Sequence, residues 1–337
     1  MTKKLASLSL DLDNLWSYMK THGDPGWQDF PGYLDVVVPR FLDMLDELSI
    51  SMTVFIVGQD AVIKENKPIL KSIADAGHEI ANHSFNHEPW LHLYSPEEIG
   101  KEIERAEEAI HSATGVTPKG FRGPGYSLSE TVLDVLKQRG YDYDCSTFPT
   151  IVGPLARAYY FAKSRLSSDQ KERRKVLFGG IKDGFRPLKP YAWDLNRERI
   201  VEIPVSTMPF ARIPFHYSYL HWIAGASEGL ASAYYASALR ACDMAGVAPS
   251  MLLHPLDFMG GDDVQQLAFF PGMNQPSTEK LARMKRFLSK LNAEYDVTTM
   301  AGHAKTLNST ELPLRRPDFA VEDTDAVDLA QETSATR

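Results

Sequence analysis

Runs that read as strands and runs that read as helices alternate at least six times along this chain, and nothing else in it constrains the fold as much. Strand followed by helix, repeated, builds a parallel sheet with helical crossovers, and so many units favour closure into a barrel over an open sheet. The spacing of the units is uneven. The pattern therefore predicts an α/β fold, a distorted (β/α) barrel with seven or eight strands, forming a single domain over residues 1–305.

The units can be read off one by one. Leu5 to Leu10 alternates apolar and small polar residues as a first strand. Leu34, Val37, Val38, Phe41, Leu42, Leu45 and Leu48 recur at helical spacing, with Pro39 tolerable only near the first turn. Met52 to Val57 is an apolar strand, followed by a broken helix from Asp60 to Ala76 that is interrupted at Pro68 and stopped at Gly77. Glu79 to Ala81 is a short strand. Ser95-Pro96-Glu97-Glu98 then opens a helix with a capping box and a proline at its first position, and that helix stops near Gly115. Gly120 to Arg122, Tyr141 to Tyr143, Ile200 to Pro204, Met251 to His254 and Val297 to Thr299 read as further strands. Glu130 to Arg139, Glu228 to Ala245 and Thr278 to Asn292 read as helices.

Two segments fall outside the repeat. Residues 150–199 form an insertion whose stretch from Ala156 to Lys189 holds ten Lys or Arg against three acids, interleaved with aromatics. A solvated helical pair covering one barrel end is the plain reading. The surplus of positive charge also suits peripheral contact with anionic lipid, or a grip on a substrate diphosphate, in a chain whose formal net charge is −8. Residues 308–337 are acidic and polar and read as a disordered tail. The overall negative charge speaks against a nucleic-acid partner. Cys145 and Cys242 give no disulfide framework, and Met1 to Leu10 leaves no room for a secretory apolar region before Asp11, so the expected location is cytoplasmic.

Two segments supply a candidate metal site. Asp11-Leu12-Asp13 ends the first strand run, and His83-Ser84-Phe85-Asn86-His87 follows the third, both at the rim where barrel strands end. An ion such as Zn²⁺ takes imidazole and carboxylate ligands, three of them where a position is kept for water, and Asp13, His83 and His87 make up that set. Co, Ni, Fe or Mn would suit the same donors. Asp11 lies on the same strand face as Asp13, in position to act as a base. Spacing alone leaves open the alternative of two surface histidines in a loop.

Three more segments reach the same rim: Arg122-Gly123-Pro124-Gly125-Tyr126-Ser127, Asp142-Tyr143-Asp144-Cys145-Ser146 and Leu252-Leu253-His254-Pro255. With these five motifs in order, the chain resembles the polysaccharide deacetylase family, also called the NodB-homology domain or carbohydrate esterase family four, over roughly Lys4 to His303. The resemblance implies a NodB-type barrel and metal-dependent removal of an acetyl group from an N-acetylated sugar: a glycan, a glycolipid, or a nucleotide-linked or polyprenyl-linked saccharide. It implies that Asp13, His83 and His87 bind the metal, that Asp11 is the general base held by Arg122, and that His254 is the general acid. Gly125, turned by Pro124, is the candidate oxyanion donor through its N–H.

The chain departs from the common family pattern in three places. Asp11 and Asp13 are separated by a leucine where many members have adjacent aspartates. Gly125 follows the proline where a tyrosine is common, with Tyr126 one place later. Tyr143-Asp144-Cys145-Ser146 replaces an aspartate followed by tryptophan, which leaves open whether Asp144 partners Arg122 or His254 or only caps a turn. Trp16, Trp27 and Trp90 follow strand ends, where a ring could stack on a sugar or simply pack. Hydrolysis of a non-sugar amide or cyclic imide by the same site, and a catalytically inactive carbohydrate-binding protein on this scaffold, are the alternative functions. Six complete site positions weigh against the second of these.

Overall fold

The computed structural model of the chain describes residues 3–153, 184–195, 198–307 and 311–319. Its strands are β1 Lys4–Leu12, β2 Thr53–Ile56, β3 Glu79–Asn82, β4 Gly120–Phe121, β5 Tyr143–Asp144, β6 Tyr191–Leu195, β7 Glu198–Glu202, β8 Thr207–Met208, β9 Ile213–Pro214, β10 Ser250–Leu253, β11 Tyr295–Thr298 and β12 Leu314–Arg315. The helices are α1 Leu15–His22, α2 Leu34–Leu48, α3 Gly58–Val62, α4 Lys67–Asp75, α5 Pro96–Thr114, α6 Glu130–Gln138, α7 Tyr217–Ala226, α8 Glu228–Ala245, α9 Ser277–Glu294 and α10 Met300–Thr306. None of the helices among the described residues is long and apolar enough to cross a membrane.

The main sheet runs in the order β10-β1-β2-β3-β4-β5-β7-β6-β12, with β11 also on β1. Its pairs are parallel except β6 with β7. The two ends of the ring approach each other through the stretch after β7. Ile203 N–H donates to the Asp144 carbonyl at 3.0 Å and Val205 N–H to that of Thr147 at 2.9 Å, after which Ser206 N–H reaches the Ser250 carbonyl of β10 at 3.0 Å. The Ser250 N–H returns a bond to Ser206 Oγ at 2.8 Å. Seven strands (β10, β1, β2, β3, β4, β5, β7) thus follow one another round a distorted barrel.

The period of two along each strand sorts the side chains into two layers. Leu8, Leu10 and Leu12 of β1, Val54 and Ile56 of β2 and Ile80 of β3 join the cluster beneath the helices, with Val37, Phe41 and Ile110. Phe55, Ala81, Tyr143, Cys145, Val201 and Ile203 form a separate cluster on the other face, inside the ring. On that inner face the buried residues of β1 are polar, Ser7, Ser9 and Asp11. Each is answered by a polar partner: Ser7 Oγ lies 2.9 Å from His303 Nδ1, and Ser9 Oγ accepts from Arg122 Nη1 at 3.1 Å.

Most expected units are present, with differences that have physical causes. Pro39 lies well inside α2 rather than in its first turn. The face it occupies is exposed, as is Asp35, whose carbonyl loses its intrahelical donor, so water can replace the missing bond. The stretch read as an insertion contributes β6 to the sheet at its end, while residues 154–183, most of the basic stretch, lie outside the described residues. The stretch read as a disordered tail begins with an ordered strand: β12 pairs with Ala192 and Trp193 of β6, and Phe319 packs 5.3 Å from the Trp193 ring. Residues 320–337 lie outside the described residues. α1 and α7 are additional to the units expected from the sequence.

Close packing behind the rim yields a stability prediction. Gly58 opens α3 against α5, and a Cβ there would come within 2.7 Å of the Phe85 ring and 2.8 Å of Ala106 Cα. The second contact is backbone and cannot swing aside. Gly58→Ala is expected to lower unfolding free energy by about 1–3 kcal/mol, the usual cost of overpacking. Urea denaturation measures this, and a variant as stable as the parent contradicts the packing described.

Candidate metal centre

The site is built where β1, β3 and β4 end. Asp11 and Asp13 stand two residues apart on β1 and just past it, so both face the same way. The loop after β3 brings His83 and His87 to them. Ser84 and His87 both take left-handed backbone conformations, φ 61° and 51°, which β-carbon-bearing residues adopt at a cost and which here redirect the loop. Glu102 of α5 holds the loop from behind, accepting from the N–H groups of Phe85 and Asn86 at 3.2 and 2.9 Å and from the Asn86 amide.

Asp13, His83 and His87 form a group whose ligand atoms all lie within 4.8 Å of one another. His87 Nε2 is 3.0 Å and His83 Nε2 3.4 Å from Asp13 Oδ1. That oxygen is buried and lacks a hydrogen-bond partner among the described residues. His83 Nδ1 is 2.6 Å from the Arg122 carbonyl, which can only accept, so Nδ1 carries a proton and Nε2 is the atom that faces Asp13. Two imidazole nitrogens and a carboxylate oxygen gathered this closely fit a divalent ion. The surrounding charge agrees. Burial pushes the Asp13 carboxyl up, but His87 and His83 outweigh it and hold it well below the usual carboxylate range. Burial pulls His83 down, yet Asp11, Asp13 and the Arg122 carbonyl more than reverse this.

Arg122 has no exposed surface. Its Nη1 donates to Asp11 Oδ1 at 2.6 Å, its Nε to the Cys145 carbonyl at 3.0 Å, and its guanidinium stands 4.3 Å over the Phe55 ring. Beyond it the chain turns sharply at Pro124. Gly125 is exposed at φ +59°, and the turn's own bonds are those of Tyr126 N–H to Gly123 and Ser127 N–H to Pro124. Tyr126 sits beside this turn with its ring 4.8 Å from Phe148.

His254 follows β10 and is half-buried. Its Nδ1 is 3.5 Å from Ser218 Oγ, which donates to Asp257 Oδ1 at 2.8 Å, while Asp257 Oδ2 accepts from the His254 N–H at 2.8 Å. Ser218, in the first turn of α7, and Asp257 carried no recognisable signal, because their pairing joins residues 39 apart.

Asp144 meets neither Arg122 nor His254 in a hydrogen bond among the described residues. It caps its own turn, accepting from Ser146 N–H at 2.9 Å and Ser146 Oγ at 2.7 Å, and Ser146 in turn accepts from Gly123 N–H at 2.8 Å. Its other neighbour is Glu202 of β7, with which it shares a hydrogen bond. Burial, then the charge of Asp144, pushes the Glu202 carboxyl well up, so one proton is held between the two acids.

Trp16 and Trp90 do not offer rings to a ligand. They are 1% and 4% exposed, and Trp16 Nε1 is claimed by Asp60 Oδ1 at 3.0 Å. Asn14 donates to the same oxygen at 2.7 Å, and Asp60, a residue the sequence reading passed over, is pushed up to about 7 mainly by its burial. Trp27 is half-buried, with Lys20 Nζ 5.2 Å over its ring.

The profile of the family described as Polysaccharide deacetylase matches residues 24–143, a stretch that contains His83, His87 and Arg122 and leaves Asp11, Asp13 and His254 outside it. The peptidoglycan-N-acetylmuramic acid deacetylase PdaA of Bacillus subtilis is 32% identical over 111 residues, 33% of this chain and 41% of that protein. The peptidoglycan deacetylase of Helicobacter pylori is 25% identical over 204 residues, 57% of this chain and 66% of that protein. The chain thus spans less than two thirds of the length of these relatives. A structure from Mycobacterium smegmatis assigned to the polysaccharide deacetylases superposes with a TM-score of 0.62 at 21% identity, covering 96% of both chains, and so shares the fold.

Two measurements follow from the centre itself. Purified protein should carry about one equivalent of a first-row divalent metal, and His83→Ala should lose it; full metal content in that variant contradicts the ligand set. The second concerns the shared proton. A carboxyl raised in the fold binds more protons there than in the unfolded chain, so its contribution to stability is lost as pH rises above the ordinary carboxylate range. Glu202→Gln, which mimics the protonated acid, should flatten that decline in denaturation curves taken from pH 5 upward; an unchanged slope places the proton elsewhere.

Proposed function

The chain belongs to the polysaccharide deacetylase family, NodB-homology and carbohydrate esterase family four, and from that premise we propose that it is a metal-dependent hydrolase removing an N-acetyl group from a sugar. The observation that carries the proposal is the division of labour on one strand end: Asp13 faces two histidine Nε2 atoms at 3.0 and 3.4 Å, while Asp11 is bound by Arg122 at 2.6 Å. A ligand carboxylate and a base carboxylate are thereby kept apart by their partners.

A divalent ion held by Asp13, His83 and His87, zinc first and Co, Ni, Fe or Mn after it, would supply a water acidified to near ~7 and a polarised acyl carbonyl. The protein's own groups do the rest. Asp11 accepts the proton of the attacking water, and Arg122 keeps its carboxylate oriented. The Gly125 N–H donates to the oxyanion that forms on the carbonyl carbon's oxygen. His254 donates a proton to the departing nitrogen, whose amine is too basic to leave unprotonated, and the Ser218–Asp257 link fixes the plane of its ring.

The substrate we propose is an N-acetylated saccharide, as a glycan, a glycolipid or a nucleotide-linked or polyprenyl-linked sugar. The matched relatives of Bacillus subtilis and Helicobacter pylori are peptidoglycan deacetylases, which supports the sugar class. Asp11→Asn and His254→Ala should both retain the metal and lose on the order of 10² to 10⁴ in kcat for acetate release from an N-acetylglucosamine oligomer, the usual scale of general acid-base catalysis. A metal-free variant, or one as active as the parent, contradicts the role given to that residue.

A further inference from the structure

The two histidines of the metal centre are held in different ways. His83 is fixed through its ring, because its Nδ1 lies 2.6 Å from the Arg122 carbonyl. His87 has no such support: its Nδ1 is buried and lacks a hydrogen-bond partner among the described residues. A ring that binds a metal through one nitrogen is ordinarily oriented by a bond at the other, so the direction of His87 must be set by something else. The bonds lie in the backbone on either side of it.

Lys20 stands in the last turn of α1, the helix that begins two residues after Asp13. Its Nζ donates to the Asn86 carbonyl at 2.9 Å and to Glu88 Oε1 at 2.7 Å, and these two residues flank His87. Asn86 is thereby bound at its carbonyl by Lys20 and at its N–H by Glu102. The ammonium also lies 5.9 Å from the centre of the Trp16 ring, which meets the His87 ring edge-on at 6.4 Å. Lys20 and Glu88 are both buried. A buried ion pair is a weak source of stability, because desolvation of two charges offsets their attraction, and what it can fix is geometry. The left-handed backbone of His87, φ 51°, is of the kind that persists only where its surroundings over-determine it, and the bonds from Lys20 supply that constraint.

We propose that Lys20 is a positioning residue of the metal centre: by tying α1, and with it Asp13, to both neighbours of His87, it sets the spacing of two ligands that come from segments far apart in the chain. The inference rests on the reading of Asp13, His83 and His87 as the ligand set of the hydrolase proposed above. Charge and position make opposite predictions here. A buried ammonium close to a site for a divalent cation repels that cation, so by charge alone the loss of Lys20 tightens metal binding. As a positioning residue Lys20 does the reverse, and its loss weakens binding.

The measurement is the Zn²⁺ affinity of the full chain, stripped of metal and titrated in competition with a chelator. Lys20→Met, which keeps a long apolar stem without the charge, should weaken Zn²⁺ binding about tenfold or more, the range seen when a residue supporting a metal ligand is lost. It should also change the visible spectrum of the Co²⁺-loaded protein, which reads the arrangement of the ligands. Unchanged or tighter Zn²⁺ binding overturns the assignment. Lys20→Met combined with Glu88→Gln separates position from stability. Removing the orphaned charge should restore much of the urea resistance of the metal-free protein while the affinity stays low, and an affinity that returns with the stability overturns the proposal. If Lys20→Met does not fold, Glu88→Gln and Glu88→Leu decide, because both remove the same charge and only glutamine keeps an acceptor for Lys20. The Gln variant should bind Zn²⁺ within about threefold of the parent and the Leu variant about tenfold more weakly, and equal affinities overturn it. A parent chain that binds no Zn²⁺ removes the ligand set and this inference together, whereas a Lys20→Met variant that matches a Zn²⁺-binding parent removes the role of Lys20 alone.

Discussion

The buried ion pair between Arg122 and Asp11 is the constraint on which the rest of the site depends. A guanidinium without exposed surface costs several kcal/mol of desolvation, which only close partners offset. Here the offset comes from Asp11 at 2.6 Å, Ser9, the Cys145 carbonyl and the Phe55 face, all lining the barrel interior. The same residue's main-chain carbonyl takes the Nδ1 proton of His83 at 2.6 Å. One residue thus orients the proposed base through its side chain and a proposed metal ligand through its backbone. Removing either partner of the pair would leave the other charged and buried, a loss of about 3–5 kcal/mol.

Around that pair the barrel holds its acids in different charge states by giving each different neighbours. Asp13 faces two imidazoles and stays ionised. Asp60, hydrogen-bonded by the neutral donors Asn14 and Trp16, is pushed up to about 7 by burial. Glu202 shares a proton with Asp144, which through Ser146 steadies the turn that carries Gly125. The proposed reaction asks Asp13 to bind a cation and Asp11 to take a proton, and the two have different partners, imidazoles for the first and Arg122 for the second.

The strand-end residues were legible in the sequence because alternation and turn signals locate strand ends, and Asp11, Asp13, His83, His87, Arg122 and His254 all fall there. Their supports were not. Lys20 and Ser218 lie in segments without a periodic signature, and their bonds reach across tens of residues. Trp16 shows the limit of position without orientation: it follows a strand end, as read, yet its N–H is bound inward by Asp60 and the ring is lost to packing. The strand Leu314–Arg315 was missed for the opposite reason, since both its side chains are exposed and only its backbone is engaged, with β6.

X-ray absorption spectroscopy of the metal-loaded protein tests the central claim most directly, that Asp13, His83 and His87 form one mononuclear centre. The account predicts a first shell of nitrogen and oxygen only, at about 2.0–2.2 Å, with the multiple-scattering signature of two imidazoles. A sulfur shell near ~2.3 Å, or a spectrum without imidazole scattering, would contradict it.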